Sequence, residues 1–71
     1  MNEETIERAA RALERQRISC YEWTEEQFEL WFTRDPFFTE QVTAWPDGFR
    51  GTRKQHLFFE VRTVLEAAKA G

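Results

Sequence analysis

The sequence predicts an all-α fold, a compact bundle of about four helices. Apolar residues recur on one broad helical face over residues 52–70, which is the longest helical pattern in the chain. Two capping signals support this, because Thr24 and Thr52 each precede a glutamine by three residues. With 71 residues, the chain is long enough for one domain, residues 1–71. We expect helices at approximately 3–17, 24–34, 36–44 and 52–69.

The first predicted helix, residues 3–17, has a narrow apolar stripe and a charged face. Asn2 is placed to cap the helix. The stripe is formed by Ile6, Ala9, Ala10 and Leu13. Three arginines share the outward face, Arg8, Arg11 and Arg15. This face is either a solvated set of i,i+4 ion pairs or a row of phosphate contacts.

The second predicted helix follows a connector at residues 18–23. The single cysteine, Cys20, is expected to be a small buried apolar residue, because no second cysteine or neighbouring base activates it; the alternative is a free thiol. Thr24 caps the helix, and Phe28, Trp31 and Phe32 define its inward face. Leu30 points away from that face.

A third segment begins at Asp35 and Pro36, where an N-cap is followed by proline at the first helical position. We predict a short helix over 36–44, although the β-branched residues Thr39, Val42 and Thr43 favour an extended segment as the alternative. Residues 45–48, Trp-Pro-Asp-Gly, predict a turn because proline restricts φ, aspartate bonds nearby backbone and glycine permits positive φ.

The last predicted helix carries the apolar face that the other segments must cover. Its inward residues are Leu57, Phe58, Val61, Val64, Leu65 and Ala68. Phe59 lies opposite this stripe, so it is either a second contact surface or covered by the preceding loop. Because a core of this size supplies only about 3–5 kcal/mol, we expect the other segments to wrap closely around the helix.

The middle of the chain combines negative charge with aromatic side chains. Residues 22–47 carry seven acidic residues and one arginine, a net charge of −6. Seven of the eleven aromatic residues lie between Tyr21 and Phe38. Such a surface predicts a basic partner, since charge steers association and aromatic residues anchor interfaces. The predicted partner-binding residues are Glu22, Glu25, Glu26, Glu29, Leu30, Asp35, Phe37 and Glu40. The alternative is that the acids only keep the segment soluble.

The end of the chain is basic, with a net charge of +3 over residues 48–71. Basic residues surround the start of the last helix and predict either an anion site or pairing with acids such as Asp47 or Glu40. The alternative function is therefore a small DNA-binding regulator. Its contacts would be Arg8, Arg11, Arg15, Arg50, Arg53 and Lys54.

Catalysis has little support in the sequence. The only histidine, His56, lies one helical turn before Glu60, which would give a base and its orienter but no nearby nucleophile. We expect no enzyme activity and no cofactor. One cysteine and one histidine exclude a four-ligand zinc site built from such side chains. No apolar stretch approaches the about 20 residues that span a bilayer, and the lone cysteine suits a reducing cytoplasm.

Both ends of the chain, residues 6–13 and 59–67, together with the turn at 45–48, resemble small uncharacterised proteins encoded by phages and prophages. In kind, a compact acidic protein without an evident active site is similar to anti-CRISPR proteins. This resemblance implies an inhibitor that occupies a basic, nucleic-acid-binding groove on a host protein complex, without direct nucleic-acid or membrane contact. Whether two copies pair through the spare aromatic residues stays open.

Overall fold

Helices account for most of the chain in the computed structural model, which describes residues 2–70 and the side chains of residues 2–69. The helices are α1 (Glu3–Arg17), α2 (Glu25–Arg34), α3 (Pro36–Thr39) and α4 (Arg53–Ala70). Two strands, β1 (Val42–Ala44) and β2 (Arg50–Thr52), form an antiparallel hairpin, and a 3-10 turn (Ser19–Tyr21) follows α1. The fold is predominantly helical, but it includes this hairpin, so the prediction of a purely all-α bundle is wrong in this one respect.

Local capping signals set the starts of three helices as predicted. The Asn2 side chain accepts a backbone N–H from the first turn of α1. Thr24 and Gln27 form a reciprocal capping box at α2. At α4 the backbone N–H of Gln55 donates to Thr52 Oγ1 at 3.1 Å, while the N–H of Thr52 donates to Gln55 Oε1 at 2.8 Å. These caps depend only on residues three positions apart.

The predicted helix over 36–44 is wrong beyond Thr39. Asp35 caps α3 as expected, but the chain then turns into β1, where Val42 pairs with Thr52 and Ala44 with Arg50. The extended alternative for Val42 and Thr43 is confirmed. Pairing with β2 satisfies the backbone of this segment, and its β-branched residues suit a strand better than a helix.

The turn that joins the two strands forms as the sequence predicts. The N–H of Gly48 donates to the carbonyl of Trp45 at 3.0 Å, and Asp47 Oδ1 accepts the N–H of Phe49 at 2.9 Å. Gly48 has a φ of +93°, a conformation that L side chains rarely adopt. The turn places Trp45 and Asp47 next to α4.

The core is a single cluster to which all four helices contribute. Its buried members are Ile6, Ala10, Phe28, Phe32, Phe38, Leu57 and Val61. The inward faces predicted for the first two helices are confirmed, with Trp31 only half-buried. Helix α1 packs along α4, and α3 with β2 covers the beginning of α4.

Two burial predictions are wrong. Val64 and Ala68 are exposed, because α1, α3 and β2 cover only part of the 18-residue α4. Cys20 is also exposed, since the 3-10 turn lies on the surface at the end of α1. Conversely, Glu14 is buried with 7% exposure. None of the helices described has the length and apolar character needed to cross a membrane.

Candidate functional site

Helices α1 and α2 are joined by two arginine–glutamate pairs, which we call the ion-pair seam. Arg11 donates from Nη1 and Nη2 to the carboxylate of Glu29 at 2.6 and 3.0 Å. Arg15 donates to both oxygens of Glu25 in the same way. The Arg11 guanidinium also lies 4.6 Å from the ring centre of Phe32. The seam therefore combines paired charge with cation–π packing.

The ion-pair seam corrects the prediction of an outward arginine face. Arg11 and Arg15 reach across to α2. The predicted i,i+4 pairs are nevertheless present, because Arg8 lies 3.1 Å from Glu4 and Arg11 Nε lies 3.6 Å from Glu7. Hydrogen bonds from the arginines hold the pKa of Glu25 and of Glu29 below the usual value. Two of the predicted partner-binding carboxylates are therefore already paired within the chain.

The other predicted acidic residues occupy different environments. Glu22, Glu26 and Glu40 are exposed and form no ion pair within the part of the chain that the structure describes. Asp35 is half-buried, and its Oδ1 accepts the backbone N–H of Phe37. The predicted acidic residues thus fall into three groups: two are paired with arginines of α1, three have no described ion pair, and Asp35 caps α3.

An open cleft lies on the flank of α2 that bears Trp31, away from the glutamates of the ion-pair seam. Its volume is about 720 Å³, and it is bounded by the end of α1, the 3-10 turn, α2, α3, the hairpin turn and α4. All three tryptophans of the chain line it. The ring side chains of this aromatic cleft are Tyr21, Trp23, Trp31, Phe37, Phe38, Trp45 and His56.

One wall of the aromatic cleft is a continuous series of rings. Tyr21 stacks on Trp23 with 5.5 Å between centroids, and Trp23 meets Trp31 edge-on at 5.5 Å. Trp31 continues to Phe37 at 6.0 Å and to buried Phe38 at 5.1 Å. The wall therefore runs from the solvent into the core.

A buried polar contact holds Trp31 in this wall. Its Nε1–H donates to Glu14 Oε2 at 2.9 Å, and this bond satisfies a carboxylate that would otherwise be costly to bury. Sequence reasoning missed Glu14. The signal was present, because Glu14 continues the i,i+4 series of Ile6 and Ala10 on the buried stripe of α1.

The second wall comes from the hairpin and α4. The ring of Trp45 lies parallel to that of His56, with centroids 4.1 Å apart. The guanidinium of Arg53 lies 4.3 Å from the centroid of Phe37 and 5.4 Å from that of Trp45, so it bridges the two walls. No ion-pair partner of Arg53 occurs among residues 2–69.

His56 is held on both ring nitrogens. Nε2 lies 2.8 Å from Asp47 Oδ2 and Nδ1 lies 3.4 Å from Glu60 Oε1. Glu60 in turn accepts two hydrogen bonds from Arg17, at 3.0 and 3.2 Å. The hydrogen bond from His56 and the backbone N–H of Phe49 lower the pKa of Asp47. The hydrogen bond to Asp47 and the parallel stacking on Trp45 together fix the position of the imidazole.

The predicted basic cluster is divided by α4. Arg53 belongs to the aromatic cleft, whereas Arg50 and Lys54 line a separate groove. Of the two predicted acidic partners, Asp47 contacts His56 and Glu40 forms no ion pair with a described residue. Residues 50–54 therefore do not form one anion site.

The predicted apolar contacts border the aromatic cleft. Phe37 lies in its wall, and Leu30 shares an adjoining shallow pocket with Trp23 and Trp31. Within the described residues, no three histidine, cysteine, aspartate or glutamate side chains are grouped to hold a metal ion. Comparison of this chain with protein-family models, with curated protein sequences and with solved structures finds no significant match.

Proposed function

We propose that this chain is a non-enzymatic protein-binding module whose aromatic cleft receives apolar side chains of a partner. The observation that carries the proposal is that all three tryptophans line one open cleft. Around it Tyr21, Leu30 and Phe37 remain 63%, 50% and 44% exposed. Tryptophan and tyrosine dominate interface hot spots, and exposed apolar patches mark interaction surfaces.

One polar group of the aromatic cleft indicates what accompanies the apolar anchor. Arg53 contributes a positive charge that no described carboxylate pairs with. A partner's carboxylate or backbone carbonyl next to its anchor side chain would pair with this guanidinium. The aromatic cleft thus suits a peptide segment better than a purely apolar molecule.

Free carboxylates near the aromatic cleft support a basic surface on the partner. Glu22 adjoins Trp23, and Glu26 precedes Leu30 by one helical turn. Exposed acids of this kind accelerate association with a basic surface and add specificity. We therefore include in the proposal that the partner presents a basic groove of a nucleic-acid-binding host protein, and that the chain obstructs it as a phage-encoded inhibitor of the anti-CRISPR kind.

The DNA-binding alternative has less support. Arg11 and Arg15 are engaged by glutamates of α2, so phosphate would have to displace carboxylates that already form two hydrogen bonds each. Of the six predicted contacts, only Arg8 and Arg50 are exposed without a cation–π contact among the described residues.

Peptide selection from a random display library against the immobilised protein tests the proposal without a known partner. Selected peptides are expected to share a large apolar anchor and to shift the indole N–H resonances of Trp23, Trp31 and Trp45. Phe37→Ala is expected to weaken binding about tenfold, equivalent to about 1.4 kcal/mol. Val64→Ala is the matched control, because Val64 is exposed but lies outside the aromatic cleft.

Two results would count against the proposal. Selected peptides could shift resonances elsewhere and leave the three indoles unchanged. Alternatively, unrelated duplex DNA could bind strongly in a gel shift, with a steep loss between two salt concentrations, which is typical of phosphate contacts.

A further inference from the structure

A second groove runs along the opposite flank of α4 from the aromatic cleft. Its volume is about 530 Å³. Its lining residues are Phe49, Arg50, Lys54, Gln55, Phe58, Phe59 and Arg62. No residue lines both this basic groove and the aromatic cleft, so the two surfaces can be occupied at the same time.

The floor of the basic groove is apolar. Phe49 stacks on Phe59 with 4.9 Å between ring centroids, and Phe59 remains 45% exposed. The loop therefore covers Phe59 only in part. The two predicted alternatives for this residue, coverage by the loop and an exposed contact surface, each hold for part of its side chain. A large apolar side chain laid on these rings would bury surface that is now in contact with water.

The rim of the basic groove is cationic. It is formed by Arg50 and Arg62, and no carboxylate lines the groove in residues 2–69. Lys54 also lines the groove, but its ammonium lies 4.9 Å from the centre of the Phe32 ring. At one end, Arg62 Nη2 donates to Glu3 Oε1 at 2.8 Å, although the Glu3 side chain is 79% exposed. Glu3 lies outside the groove, in the pocket that adjoins it at Arg62, so this cation of the rim already pairs with one carboxylate. That carboxylate is exposed enough to be exchanged for another.

We propose that the basic groove docks an acidic peptide segment of a partner protein. Carboxylates of the segment pair with Arg50 and Arg62, and an apolar side chain between them packs on Phe49 and Phe59. This second surface does not depend on occupation of the aromatic cleft. With both surfaces the chain would be a two-sided adaptor.

A peptide suits the basic groove better than a nucleic-acid strand. The whole chain has a net charge of −3, and Glu66 lies with Glu3 beside Arg62 at the end of the groove. A strand of regularly spaced phosphates leaving this end would meet those two carboxylates, which Lys69 offsets only in part and which oppose polyanion binding. A short acidic segment places its charges only where the cations are.

Fluorescence anisotropy with the full chain tests the proposal. The probe is a labelled peptide with glutamates on both sides of one phenylalanine, compared with the same peptide carrying glutamines and with labelled oligothymidylate. Only the glutamate peptide is expected to bind. Arg50→Gln is expected to weaken binding about twofold to fivefold, the range of exposed ion pairs. Arg8→Gln makes the same charge change away from the groove and should leave binding unchanged.

Glu3→Gln gives a sharper test, because it removes the carboxylate that competes for Arg62. Binding of the glutamate peptide is expected to tighten about twofold to fivefold. Glu4→Gln is the control, since Glu4 is equally exposed but pairs with Arg8. Equal effects of Glu3→Gln and Glu4→Gln would mean that only net charge matters and would overturn the proposal. So would absence of peptide binding, or oligothymidylate binding that Arg50→Gln weakens. Far-UV circular dichroism of each variant verifies that the fold is retained.

Discussion

The two flanks of α2 use charge and aromatic rings in opposite ways. On the flank that faces α1, Arg11 and Arg15 each meet a glutamate and cover a phenylalanine ring. On the flank that bears Trp31, rings line an open cleft and Arg53 has no described carboxylate partner. An acidic stretch of sequence is therefore not the same as an acidic surface, because arginines of α1 pair with two of its seven acidic residues. The groups that remain unmatched among the described residues include Arg53 on the other flank.

The largest expected effect comes from Phe32, which lies beneath both flanks. It is fully buried, stacks near Phe38 and Phe58, and is covered by Arg11. Phe32→Ala is expected to cost about 3–5 kcal/mol and to leave the chain largely unfolded. Thermal melting by far-UV circular dichroism measures this. Phe37→Ala changes the exposed wall of the cleft and should have a melting temperature close to that of the wild type. If both variants lost the same stability, Phe32 would not be a core residue.

Trp31 tests whether the cleft wall also contributes to stability. Trp31→Phe keeps a ring but removes the donor to Glu14, which leaves a buried carboxylate unpaired at a cost of about 1–3 kcal/mol. Trp23→Phe is the control, because no described hydrogen bond involves the Trp23 indole. Chemical denaturation gives both free energies of unfolding. Similar losses for the two variants would mean that the hydrogen bond to Glu14 contributes little.

Gly48 tests the wall that the hairpin supplies. Gly48→Ala is expected to cost about 1–2 kcal/mol, since its φ of +93° is strained for alanine. A Cβ at this position meets no atom within 4 Å, so the cost is conformational rather than steric. Gly48→Asn should lose less, because asparagine tolerates positive φ better. Peptide binding in the aromatic cleft should weaken with Gly48→Ala, since the turn positions Trp45. Unchanged binding would mean that the conformation of the turn does not affect the cleft.

The smallest expected effect is the pH dependence of the ion-pair seam. Because the folded pKa of Glu29 is lowered, its pairing stabilises the protein above the unfolded-state pKa of about 4.3 and is lost as the pH falls through the folded value. Melting temperature should therefore decline from about pH 5 to about pH 3 in the wild type and less steeply in Glu29→Gln. Glu26→Gln, whose carboxylate has no described ion pair, should decline like the wild type. If the melting temperature of Glu29→Gln declined with pH as steeply as that of the wild type, the pairing of Glu29 would not contribute to the pH dependence.

Much of the local structure could be predicted, and the reasons are physical. The caps at Asn2, Thr24 and Thr52 join groups three residues apart, and the turn at 45–48 closes within four residues. The sequence also concentrates seven aromatic residues between Tyr21 and Phe38, and five of these line the cleft. Their arrangement was not predicted, because Trp45 reaches the cleft only when β1 pairs with β2 and brings the turn against α4.

Interactions between neighbours in the chain were thus enough to place helix starts, the turn and the inward rings of α2. Packing between distant segments settled the rest. The pairing of Val42 with Thr52 replaced a helix by a strand, and the pairs of the ion-pair seam join residues 10 and 18 positions apart. Glu14 is buried and Val64 exposed for the same reason. The environment of a side chain depends on which elements cover it, and the covering elements come from elsewhere in the chain.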